Sequence, residues 1–309
     1  MINQYNFLME LFIGQRKIVS EELRHIKIYK HPSFSNDYDF VTVIPKMSRN
    51  AHLRILLETY KISIAESPYR HIAIVVEHSE SQDGRGICEQ ENIPYIFIEK
   101  NHHKLFNKCL CMNVGSAIYE TKYLMFHDID LVIPKNFWEK LKKNIGNKQI
   151  IQSFANKRVH YVHKTQTEMV FERKIDPDTL YDNPSFYKSG RPGAPGGSVI
   201  IDKNLFREIG GFDPYYFLSY SIEDQFFIDK ASLFCNFDGC NDPPIEMVHL
   251  WHPENITKTP EAIRNRGHKI HKYFNSIDKS LRMKLIKEFS SYYKIQKNTV
   301  KECLKNASS

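Results

Sequence analysis

Tyr123-Leu-Met-Phe-His-Asp-Ile-Asp-Leu-Val-Ile-Pro134 is an apolar run that breaks into two carboxylates, Asp128 and Asp130, before closing on a proline. The run has the length and composition of a buried strand. Alternation along an extended strand end points Asp128 and Asp130 the same way. Hard carboxylate oxygens so placed attract Mg²⁺ or Mn²⁺, which can neutralise a diphosphate. Taken alone, the same pair also suits solvated turn acids, because short motifs misfire. The rest of the chain decides between the two.

Upstream, Phe40-Val-Thr-Val-Ile-Pro45 reads as a first buried strand, and Ala51 to Ala65 repeats apolar positions with helical period. His71-Ile-Ala-Ile-Val-Val76 and Tyr95-Ile-Phe-Ile98 give two more strands, and Asn107 to Tyr119 a helix ahead of the Tyr123 strand. Continuous apolar runs alternating with helices predict an α/β fold with a mostly parallel sheet covered on both faces. Ligands in such sheets lie beyond the carboxyl ends of the strands, where Pro45, Glu77 and Asp128 all fall. The stretch from Ile150 to Gly196 is polar, aromatic and basic; a segment that long is either functional or carries short strands of its own. Gly196-Gly-Ser-Val-Ile-Ile-Asp-Lys-Asn-Leu-Phe206 then predicts a strand and a short helix, and a helix is expected from Glu223 to about Leu233. Residues 1–36 read as a helical N-terminal extension, 37–275 as the main domain, and 276–309 as a helical tail burying Leu281, Leu285, Ile286 and Phe289.

The totals exclude several classes. With 309 residues, 41% hydrophobic and 26% charged, the chain can bury a sizeable core and is neither fibrous nor disordered. No stretch is long and apolar enough to span a bilayer, and the N-terminus lacks a signal-peptide layout, so a cytoplasmic location is expected, with the inner membrane face as its natural extension. Six cysteines without Cys-x-x-Cys spacing argue for reduced thiols over structural zinc. A net charge of +7 suits an anionic partner such as a nucleotide diphosphate, an anionic glycan or a membrane surface, and its spread argues against nucleic acid.

Several motifs occur in a fixed order: Pro45-Lys-Met-Ser-Arg-Asn-Ala-His-Leu53, Phe106-Asn-Lys-Cys-Leu-Cys-Met-Asn-Val-Gly115, His127-Asp-Ile-Asp130, Gly196-Gly-Ser198, Gly210-Gly-Phe-Asp213 through Glu223-Asp224, and His249-Leu-Trp-His252. Together they make residues 39 to 255 resemble the β-1,4-galactosyltransferase family of GT-A glycosyltransferases. The resemblance implies a GT-A fold and a metal-dependent, inverting transfer of galactose or N-acetylgalactosamine from a UDP-sugar to a glycan acceptor. It places Asp130 on the metal, with His249 and His252 completing the site, and Asp128 nearer the ribose. Histidines three apart can converge on one cation, and imidazole favours Mn²⁺ over Mg²⁺; capping a strand end is their plainer use. By the same likeness Asp224 is the general base and Glu223 orients the acceptor, although acids opening a helix also simply complement its dipole. Gly196 and Gly197 fit a close approach of backbone to ligand, and Ala194 falls where the family selects the donor sugar, its small side chain leaving room for an N-acetyl group.

Pro45, Lys46, Arg49 and Glu77 are the candidates for the nucleotide pocket, Arg49 for a phosphate. The family's Gly-Trp-Gly-Gly is replaced by Ser219-Tyr-Ser-Ile222, in which Tyr220 still offers a ring to stack on a sugar. Basic residues from Lys258 to Lys272 fall where the family has a lid, or form a solvated loop. The family's N-terminal membrane anchor has no counterpart in these residues, which points either to a bacterial polysaccharide or lipooligosaccharide enzyme at the cytoplasmic side of the membrane, with peripheral contact to the membrane or a lipid-linked acceptor, or to a chain whose anchor has been removed; the oligomeric state is left open. The rivals are a retaining GT-A transferase, a silent glycan- or nucleotide-binding module of the same fold, and a sugar nucleotidyltransferase. The last lacks a glycine-rich triphosphate loop after the first strand.

Overall fold

The computed structural model describes residues 1–29, 38–100, 105–145, 151–153, 159–188, 196–217, 219, 221–235, 245–253 and 260–307. In chain order the elements are α1 (Ile2–Leu23), β1 (Ile26–Tyr29), β2 (Tyr38–Lys46), α2 (Asn50–Ala65), β3 (His71–Ser79), α3 (Arg85–Gln90), β4 (Tyr95–Glu99), α4 (Lys108–Ile118), β5 (Thr121–His127), β6 (Leu131–Val132), α5 (Phe137–Ile145), β7 (Ile151–Ser153) and β8 (Val159–Tyr161). There follow α6 (Lys164–Phe171), α7 (Thr179–Asp182), β9 (Ser198–Asp202), α8 (Lys203–Glu208), α9 (Glu223–Ala231), β10 (Met247–His249), α10 (Glu261–Ser276) and α11 (Lys279–Ala307).

Seven strands form the central sheet in the order β1-β4-β3-β2-β5-β9-β7. Its middle, β4-β3-β2-β5, is parallel, while β1 and β9 pair antiparallel with their neighbours. The expected α/β class with a mostly parallel sheet flanked by helices is therefore present. Strand alternation explains why the runs are apolar throughout: Val41, Val43, Ile72, Ile74 and Val76 face one layer, and Phe40, Ile44, Ala73 and Val75 the other. The first layer is built by α1, α4, α10 and α11. The second contains α2, whose Leu53, Leu56, Leu57 and Tyr60 repeat at helical spacing and are all buried. Gly115 lets α4 press onto β2, since a Cβ there would lie 2.5 Å from Val43 Cγ1.

The N-terminal segment contains more than a helix. β1 extends the main sheet at its edge, and Leu8, Phe12, Val19 and Leu23 of α1 belong to the same core as the strands. The basic stretch expected as a lid or loop is, from Glu261 onward, the helix α10 with Ile270 and Phe274 buried. Between Ile150 and Gly196 the chain does carry short strands: β7 closes the main sheet, and β8 joins β10 and β6 in a three-stranded sheet. No helix among the described residues is long and apolar enough to cross a membrane.

Candidate active site

The small sheet assembles the metal-type cluster. β6 follows directly on Asp130, and β10 pairs antiparallel with it so that His249 faces Leu131. The Leu250 N–H donates to the Asp130 carbonyl at 2.9 Å, pinning the start of the His249–His252 segment against the acid. His249 Nε2 lies 3.6 Å from Asp130 Oδ1 and His252 Nε2 lies 3.2 Å from Oδ2. One ligand atom from each residue falls within 4.8 Å of the other two.

The donor chemistry fits a divalent cation. His252 Nδ1 is 2.8 Å from the Pro253 carbonyl, which can only accept, and 3.2 Å from Arg49 Nη2, which can only donate, while Nε2 points at Asp130. Two imidazoles and a carboxylate converging in this way are the ligand types that suit a first-row divalent cation. His249 Nδ1 is buried with no hydrogen-bond partner among the described residues. Burial alone would raise the Asp130 pKa, but His249, His252 and Arg49 outweigh it and hold the carboxyl well below the usual range. It is ionised whenever a metal would bind. Arg49 bonds Asp130 Oδ2 directly and sits 3.2 Å from His252 Nδ1.

Arg49 is delivered by strained backbone. Ser48 and Arg49 both adopt left-handed conformations, φ 60° and 61°, between β2 and α2. Each such non-glycine residue costs on the order of 1 kcal/mol or more, which persists only where the surroundings enforce it. Arg49 is also the N-cap position of α2, and no side chain caps that helix, so its first N–H groups remain available to an anion. A cleft of about 370 Å³ opens here, lined by Arg49, Asn50, His52, Phe171 and His252. Burial pushes His52 down to about 4, so it is neutral, and its Nε2 lies 3.1 Å from the Trp251 carbonyl.

A second cluster adjoins the first through Asp128. Lys108, in the first turn of α4, places Nζ 2.8 Å from Asp128 Oδ1 and 3.3 Å from Asp224 Oδ2. Lys108 has no role in the sequence reading. Its signal is a cation at the start of a helix, where the dipole disfavours one. Asp224 and Glu223 open α9 as expected, and Glu223 accepts the Ser221 N–H at 2.9 Å. Burial, reinforced by Asp224 and opposed by Lys108, raises the Glu223 pKa; burial also raises that of Asp128, with Asp130 and Asp224 adding and Lys108 opposing. Gly196 has a specific reason here, because a Cβ on it would sit 1.7 Å from Asp224 Cγ. The Gly197 carbonyl accepts the Asp128 N–H at 2.8 Å, tying the glycine pair to the acid pair.

The other nucleotide candidates separate. Pro45 and Lys46 end β2, in register with Val76 and Glu77 of β3. Glu77 is fully buried and accepts from Lys46 Nζ, from the Tyr95 hydroxyl and, at 2.9 Å, from the Gly84 N–H. Neither Lys46 nor Glu77 presents surface to a ligand, because each is consumed by the other. Ala194 and Tyr220 lie outside the described residues.

No family model matches the chain. No curated protein sequence matches it either. Its structure is similar to the catalytic domain of Drosophila β1,4-galactosyltransferase 7 in complex with xylobiose, at 15% identity and TM-score 0.39, covering 71% of this chain and 66% of that one, just under two thirds of its length. It is also similar to mannosyltransferase PcManGT from Pyrobaculum calidifontis in complex with GDP-Man and Mn²⁺, at 12% identity and TM-score 0.47, covering 99% and 85%. A third likeness is to S. aureus TarS in complex with UDP, at 16% identity and TM-score 0.48, covering 81% and 70%. Overlaps this loose assign neither an activity nor a ligand to this chain.

Proposed function

We propose that the chain is a metal-dependent GT-A glycosyltransferase that moves galactose or N-acetylgalactosamine from a UDP-sugar to a hydroxyl of a glycan acceptor, with inversion. The observation that carries this is the meeting of Asp130, His249 and His252 around one point at the carboxyl ends of the strands, beside the Asp128–Lys108–Asp224 cluster. Two imidazoles and one carboxylate favour Mn²⁺ over Mg²⁺. The bound cation would offset charge developing on the leaving diphosphate.

The chain's own groups account for the remaining needs of the reaction. Arg49 and the uncapped start of α2 offer a fixed positive charge and N–H donors to a diphosphate in the adjoining cleft. Asp224 takes the acceptor proton as general base. Lys108, 3.3 Å from its carboxylate, aims Asp224, and Gly196 provides the room in which that carboxylate sits. Attack by the deprotonated hydroxyl from the face opposite the nucleotide inverts the anomeric centre in one displacement. Glu223 beside it orients the acceptor. The small Ala194 gives UDP-GalNAc at least equal standing with UDP-galactose as donor.

A screen for UDP release across donors, with Mn²⁺ and with chelator, tests the reading. Release with one UDP-hexose or UDP-N-acetylhexosamine that chelator abolishes is the expected result. Binding of UDP without release above background would leave a silent binding module instead, and the product anomer read by NMR separates inversion from retention.

A further inference from the structure

The net charge of +7 is concentrated, not diffuse. Residues 261–307 contain twelve Lys or Arg against four Asp or Glu, a net +8, which leaves −1 for all the rest of the chain. These residues are α10 and α11. The inner side of α11 is apolar, with Leu285, Phe289, Tyr293 and Val300 buried in the core. On its outer side Lys287, Lys294 and Lys305 follow at spacings of seven and eleven residues, so each falls within about 20° of one line along the helix. All three are exposed. Lys297 and Lys301 are tied to Glu120 at 3.0 and 3.3 Å, whereas these three form no ion pair with any described residue.

α1 lies alongside. The Phe12 ring is 5.2 Å from Phe289 and 5.7 Å from Tyr292, and the Tyr292 hydroxyl donates to the Arg16 carbonyl at 3.1 Å. The outer surface of this helix pair combines the lysines with large aliphatic side chains left in water: Ile13 is 48% exposed and Ile295 56%. Arg16 and Lys17 next to Ile13 are exposed as well. Basic side chains interleaved with exposed aliphatics suit a helix lying in the headgroup region of an anionic bilayer. A nucleic acid backbone would use the charge and leave the isoleucines without a role.

We propose that the face formed by α1 and α11 docks on an anionic membrane surface. Its lysines engage lipid headgroups, and Ile13 and Ile295 enter the boundary between headgroups and acyl chains. No covalent anchor or spanning helix is needed. Contact of this kind is reversible and falls with ionic strength.

Co-sedimentation of the full chain with vesicles of phosphatidylcholine, with and without phosphatidylglycerol, tests it. Binding is expected only to the anionic vesicles, with loss in high salt. Lys287→Glu with Lys294→Glu is expected to weaken partitioning by about tenfold or more. Ile13→Asn with Ile295→Asn is expected to weaken it several-fold while leaving retention on a short DNA duplex unchanged. Far-UV circular dichroism and melting temperature, matched to the parent chain, show that the variants are folded. The proposal is overturned if the parent chain ignores anionic vesicles, binds neutral ones equally, or binds vesicles no less after the isoleucine changes.

Discussion

Glu77 and Asp130 are both acids near the carboxyl ends of parallel strands, β3 and β5, each beside a cation, yet they have opposite fates. Glu77 is saturated by Lys46, Tyr95 and the Gly84 N–H in a site closed to solvent. Asp130, 5% exposed, is paired with Arg49 and shares a common point with the ring nitrogens of His249 and His252 at the rim of a cleft. A buried acid whose hydrogen bonds are complete holds the fold together; one grouped with two imidazoles at the edge of a cleft has the makings of a ligand site.

The sharpest way to break this contrast is to separate activity from stability. Asp224→Asn keeps shape and hydrogen-bonding size while removing the base, so transfer is expected to fall by roughly 10²–10⁴-fold. Asp130→Ala is expected to act as strongly, and its Mn²⁺ affinity measured by titration should fall with it. Melting temperatures of both should stay within a few degrees of the parent, because neither acid anchors the core.

Glu77→Ala should do the reverse. It strands Lys46 in the interior, and breaking a buried pair in this way costs roughly 3–5 kcal/mol. Thermal denaturation should show a drop of roughly 5–15 °C. If Glu77→Ala instead preserves stability and raises KM for the donor, Glu77 belongs to the nucleotide pocket after all.

Gly196→Ala comes next. The added methyl must displace the Asp224 carboxylate, and misplacing a catalytic group by about 1 Å costs on the order of 10²-fold. The loss should appear in kcat more than in KM.

The smallest effect is a pH dependence. Glu223 is raised from the ordinary range to about 7, chiefly by burial. The folded state therefore holds its proton more tightly than the unfolded chain does. Stability from this group is present at low pH and is lost as pH rises from about 4.5 to about 7, with a slope of at most about 1.4 kcal/mol per pH unit. Glu223→Gln, which keeps the neutral shape, should flatten that part of the melting-temperature profile.

Much of the fold could be read from the chain. The apolar runs at Phe40, His71, Tyr95 and Tyr123 became β2, β3, β4 and β5, because a strand buried on both faces leaves an uninterrupted signature that needs no partner to recognise. β1 escaped, since Ile26-Lys-Ile-Tyr29 is short, half-polar and sits beyond a long helix, and only its edge pairing with β4 makes it a strand. α10 escaped because a basic surface with few apolar positions looks like a loop until Ile270 and Phe274 find the core. In the site, the motifs alone point to Asp130, His249, His252, Asp224 and Gly196, and the structure brings Asp130 together with the two histidines and Asp224 against Gly196. Lys108 carries no motif that marks it, and Glu77, placed by sequence at the nucleotide pocket, is taken up by Lys46, Tyr95 and the Gly84 N–H.

The sequence by itself determined the order of strands and helices and the residue types needed for a cation and a base, because period and chemistry are local properties. Only the tertiary structure decided which charged groups are already satisfied and which are poised. That depends on partners brought together across the chain: β10 laid beside β6, Lys108 set between Asp128 and Asp224, and Asp224 packed onto a glycine with no side chain to exclude it.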